Sequence, residues 1–144
     1  MADGETSTAV SGEAAEGALA YLTEMSPDLR GAAILAGDGA VLAASGDANR
    51  WREDAATLFE VADRGSEPVE QVHIGTEQGE VFALRHAGLA AVAVTDRFAL
   101  ASLSFFDMRA VLRDLAAGRP LSTFDVSEDV KSPKRRMGRK ADGA

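Results

Sequence analysis

Gly31-Ala-Ala-Ile-Leu-Ala-Gly-Asp-Gly-Ala-Val-Leu-Ala-Ala-Ser45 is the stretch that decides the fold. Two short apolar runs, 32–36 and 40–44, flank Gly37-Asp38-Gly39. An Asp-Gly step between such runs signals a β-hairpin, because a tight turn needs positive φ that Gly and Asp tolerate. Both runs are apolar at nearly every position instead of alternating, so both faces of the hairpin must be covered by other elements.

Helical patterns lie on either side. Before the hairpin, Ala15, Ala18, Leu19, Leu22 and Met25 form one apolar stripe, with Ser11 as cap and Pro27 as stop. After it, Trp51, Ala55, Leu58, Phe59 and Ala62 repeat with helical spacing over about 49–64, capped by Asp47 or Asn49 and ended by Gly65. Gln71–Thr76 then alternates, with Val72 and Ile74 as the apolar members, which predicts a half-exposed edge strand. Turns at Gly79 and at Ala87-Gly88 separate two further strands, Val81–Arg85 and Leu89–Val94. The second of these is wholly apolar and belongs in the centre of the sheet. A last helix carries the stripe Ala101, Phe105, Met108, Leu112 and Leu115 and ends before Gly118 and Pro120. The order α-β-β-α-β-β-β-α with hairpin connections predicts a three-layer α/β/α sandwich on a mainly antiparallel five-stranded sheet.

The 144 residues fit one domain, expected at 12–118 between a polar stretch at 1–11 and a basic tail at 119–144, both without a pattern that could be buried. Charge divides at the same point. Residues 1–118 hold 8 Arg against 19 Asp and Glu, a net −11, whereas the tail carries +3. So acidic a body offers no broad face for nucleic acid. The chain has no cysteine, starts with a polar segment unlike a secretory signal, and has no apolar run long enough for a bilayer. Its expected place is the cytoplasm.

Catalytic signatures are missing from the pattern. His73 and His86 lie on different strands with no second ligand at metal-binding spacing, and both read as surface histidines. Gly37-Asp38-Gly39 leads into a strand and not a helix, unlike a phosphate loop, and no Walker-type lysine follows. Asp38, Glu77, Glu80 and Asp96 fall at turns, where carboxylates serve the turn or face water. No cofactor, metal or enzymatic activity is expected.

The hairpin 31–45, the strand Leu89-Ala-Ala-Val-Ala-Val-Thr-Asp96, the Leu19-x-x-Leu22 helix and the final helix through Leu115 together resemble the roadblock/dynein light-chain family, in particular its bacterial members, over about residues 12–117. The resemblance implies a five-stranded antiparallel sheet with the first and last helices on one face and the middle helix on the other. It also implies a homodimer or heterodimer in which edge strands join into one sheet and middle helices lie side by side. Bacterial members often act beside small Ras-like GTPases as regulators or scaffolds; eukaryotic ones assemble on dynein or signalling platforms.

An uncovered edge strand and large side chains on a short helix agree with self-association. The candidate dimer surface is Trp51, Leu58, Phe59, Val72 and Ile74, and the candidate contacts to a GTPase are Arg50 and Arg52. In the tail, Lys131, Lys134, Arg135, Arg136, Arg139 and Lys140 place six cations in ten residues, a candidate contact to an anionic membrane or an acidic partner. Two other functions fit the same pattern, a small-molecule sensor of profilin, PAS or GAF-like plan and a purely structural adaptor. The Ala-rich core weighs against the cavity that a sensor needs.

Overall fold

The computed structural model describes residues 10–65 and 67–121. The six tail cations, and most of the 1–11 and 119–144 segments, therefore lie outside the described residues. The elements run α1 (Gly12–Met25), β1 (Leu29–Ala36), β2 (Val41–Ala44), α2 (Ala48–Ala62), β3 (Gln71–Gly75), β4 (Glu80–His86), β5 (Leu89–Thr95) and α3 (Ala101–Ala117). This is the order read from the sequence. The Ser11 side chain accepts the Ala14 N–H at the start of α1, and Asp47 does the same for Asn49 and Arg50 at α2, each satisfying amides the helix leaves unpaired.

The sheet is antiparallel throughout, in the order β2-β1-β5-β4-β3. β5 is central, as its unbroken apolar run requires, and every residue of it except Val94 is buried. α1 and α3 cover one face. Their buried residues Leu22, Met108, Leu112 and Leu115 pack with Ile34, Phe82 and Leu84. Phe82 meets Phe105 edge-on, with ring centroids 5.3 Å apart. α2 covers the other face, where Ala55 and Phe59 pack with Ala33, Leu35, Ala83, Ala90 and Val92.

The three hairpins differ in turn chemistry. Between β1 and β2 only Gly39 has positive φ; Asp38 instead accepts the Ala40 N–H on its carboxylate, 3.0 Å away. The turn that does place two successive residues at positive φ is Ala87-Gly88, joining β4 to β5. Gly79, before β4, is required for space. A Cβ there would lie 2.2 Å from the Thr95 carbonyl oxygen.

Candidate functional site

The candidate site is the outer part of the sheet at β3 together with α2. β3 pairs with β4 alone, so its outer backbone groups are open among the described residues. Side chains alternate along it. Val72 points to the α2 side and is half-buried on the same cluster as Leu58, and Ile74 follows on that side, 39% exposed. On the opposite side His73 stacks on Phe82 at 4.5 Å between centroids and hydrogen-bonds the Glu80 carboxylate. Arg109 of α3 donates to Glu70 and to Gln71, tying the strand to the helix layer.

Glu80 also accepts the Phe98 N–H, and these two bonds hold its carboxyl below the usual carboxylate range. Just before β3, Arg85 grips Asp63 with two hydrogen bonds of 3.0 and 2.7 Å, donates to the Val69 carbonyl and lies 4.1 Å over the Phe59 ring. Bonds to Arg85 and to the Val69 N–H push the Asp63 carboxyl down. These contacts fix the connection from α2 to β3 and set where the edge strand sits.

The five candidate dimer residues separate. Leu58, Val72 and Ile74 keep surface facing outward. Phe59 is buried within its own protomer, because it lies on the helix face toward the sheet and under Arg85. Trp51 is half-buried; its indole N–H donates to the Ser45 carbonyl at 2.6 Å, and its ring rests where a Cβ on Gly31 would be 3.3 Å away. Gly31 leaves that space for the indole, so Trp51 clamps α2 to β1. Arg50 and Arg52 are exposed at the start of α2, with Arg50 3.5 Å from Asp54. Val61, one turn beyond Leu58, is an exposed apolar residue outside the candidate set. It lies off the buried stripe of this helix, which runs through Ala55 and Phe59.

The turn carboxylates do not gather at one end. Glu77, Glu80 and Asp96 lie at the β3–β4 end of the sheet, with Asp96 paired to Arg30, whereas Asp38 is at the other end. Among the described residues no group of three or more His, Asp and Glu is placed to hold a metal ion. A cleft of about 470 Å³ does exist, between the turns 37–39 and 86–89 and the middle of α2, with Leu35, Ala55, Phe59, Arg85 and His86 in its lining. The small side chains expected to close up the core instead leave room at its margin. Gly37 abuts the Gly88 carbonyl, while Ala55 and Ala56 do not fill the space opposite.

With this geometry in view, a solved roadblock/LC7 domain from Streptomyces avermitilis superimposes with a TM-score of 0.63 at 18% identity, over 72% of this chain and 95% of that one. The chain has the roadblock/LC7 fold. Two other solved structures share the roadblock plan seen here. MglB from Myxococcus xanthus has a TM-score of 0.56 at 10% identity, covering 78% of this chain and 94% of that one. The gliding protein MglB from Thermus thermophilus has a TM-score of 0.55 at 19% identity, covering 73% of this chain and 87% of that one. No family model and no curated protein sequence matches the chain. The roadblock fold is thus legible in the structure at an identity where sequence comparison finds nothing. Among the described residues no helix is long and apolar enough to cross a membrane.

Proposed function

We propose that this chain is a non-catalytic, dimeric regulator or scaffold that binds a small Ras-like GTPase through its roadblock-like unit at 12–118. The observation that carries the reading is the open β3 edge with Ile74 exposed beside it and Leu58 half-covered on α2. Joining two β3 edges satisfies the open backbone groups and buries Val72 and Ile74 against their copies. The two α2 helices then form one composite face that carries Arg50 and Arg52 from each copy. A solved MglB structure described as a tetrameric arrangement is a self-associating protein of this fold.

The GTPase assignment rests on the roadblock resemblance, and in this reading any effect on hydrolysis acts by positioning the partner's groups. The test is calorimetric titration and single-turnover GTP hydrolysis with purified small Ras-like GTPases in both nucleotide states. Binding that favours one state and is lost in Ile74→Asp supports the reading; no binding in either state by any such GTPase refutes it. Retained stimulation in Arg52→Ala excludes that arginine as a charge-stabilising finger.

The cleft favours a second reading, a small-molecule sensor, because it combines an apolar floor with the polar groups of Arg85, His86 and Asp38. A thermal-shift screen of nucleotides and metabolites distinguishes the two, since a ligand held only by the folded state raises the melting temperature.

A further inference from the structure

The strongest apolar exposure among the described residues is at the start of α3, away from the β3–α2 surface. Phe98, Leu100, Leu103 and Phe106 are 80%, 67%, 55% and 67% exposed. Phe98 sits in the turn between β5 and α3 with positive φ, a strained state for an aromatic residue. Glu80 accepts its N–H and fixes that backbone, leaving the ring in water. Arg97 lies 4.6 Å over the ring and has no ion-pair partner among the described residues.

Beside this knob is a groove. Leu100 and Leu103 of α3 and Met25 of α1 give it apolar walls, and its charged lining is Asp28 and Asp107, with no cation. Neither carboxylate has an ion-pair partner among the described residues, and burial pushes the Asp107 carboxyl up. What suits such a groove is an apolar ring with a positive charge next to it. Arg97 and Phe98 are that pair, and Phe98 is not in the lining of its own groove. Knob and groove are adjacent on one surface and complementary to each other, the condition for a two-fold contact between identical chains.

We propose that the start of α3 is a second self-association surface, in which Phe98 of each copy enters the groove of the other and Arg97 meets the other copy's Asp107. The area suffices for a weak pair. Phe98 and Phe106 alone expose about 300 Å² per copy. With Leu100, Leu103 and Met25 covered on both copies, the contact reaches the roughly 1,000 Å² that a specific interface requires. An anionic membrane is disfavoured, because the two carboxylates would face its headgroups. The surface is separate from the β3 edge, so a chain using both forms assemblies larger than a dimer.

The test follows mass by light scattering from micromolar to near-millimolar concentration in the full-length Ile74→Asp protein, which removes the β3 edge. A contact of this size should pair at about 100 µM. Further variants are added to that protein. Phe98→Gly, which suits the positive φ, should weaken pairing by about tenfold or more, as should Arg97→Asp and Asp107→Arg singly. Combining Arg97→Asp with Asp107→Arg exchanges the charges and should restore pairing to near the parent's, which also shows that the single variants fold. If Ile74→Asp is already dimeric at micromolar concentration, the edge-strand reading fails, and the same variants then report on the dimer-to-tetramer step. The proposal is overturned if no concentration-dependent pairing occurs, if the single variants pair as the parent does, or if the double variant is no better than the singles. Monomers that sediment with phosphatidylcholine vesicles would likewise overturn it and give the face to a membrane.

Discussion

Replacing Ile74 is the sharpest perturbation of the proposed dimer. The residue keeps 39% of its surface in the protomer. Full burial of an isoleucine is worth about 1.5–3 kcal/mol, so covering the rest contributes about 0.6–1.2 kcal/mol per copy. A two-fold interface contains the residue twice, so Ile74→Ala should weaken association by about 1.2–2.4 kcal/mol, roughly 8- to 60-fold in dissociation constant. Ile74→Asp should exceed this, because it places a carboxylate from each copy at the same interface and desolvates both. Because the side chain is at an exposed edge, neither change should unfold the protomer. Light scattering over a dilution series reads the mass, and circular dichroism confirms the fold. The expected order of dimer strength is wild type, Ile74→Ala, Ile74→Asp, the last monomeric at micromolar concentration. An Ile74→Asp protein with wild-type mass throughout the series would refute the edge-strand interface.

Further expectations concern the frame that holds this edge. Gly17 lies inside α1 with nothing within 4 Å of an added Cβ, so Gly17→Ala should raise stability by about 0.5–1 kcal/mol in urea unfolding. Phe82→Ala empties the fully buried place between His73 and Phe105 and should cost about 3–5 kcal/mol by the same measurement, a large share of a typical domain's stability. Asp63 has its pKa lowered on folding, so its contribution is present at neutral pH and fades as pH falls below the ordinary carboxylate range. Asp63→Asn should be less stable than wild type at pH 7, with the gap closing in acid. Asp107 has the opposite sign. Its raised pKa makes the charged form a burden to the folded state, so Asp107→Asn should be more stable at neutral pH, with the advantage vanishing as pH falls.

Local signals were sufficient for the elements. Asp47, Ser11 and Gly118 terminate helices through groups next to them in the chain, and the unbroken run 89–94 requires cover on both faces wherever it is placed. The candidate site was legible in part. Val72 and Ile74 announce an edge strand because alternation survives only where one face meets water. Phe59 and Trp51 could not be assigned from spacing, since a large side chain on an amphipathic helix looks the same whether it fills its own core or a partner's. The difference lies in Arg85 and Gly31, distant in sequence, which cap one ring and make room for the other.

Periodicity, turn residues and caps determined by themselves the eight elements, their order and the central place of β5, because each of these depends on groups within a few residues of one another. Tertiary structure alone decided which apolar side chains are buried inside the protomer and which stay exposed. That outcome depends on how closely non-local elements approach, a distance no local pattern encodes.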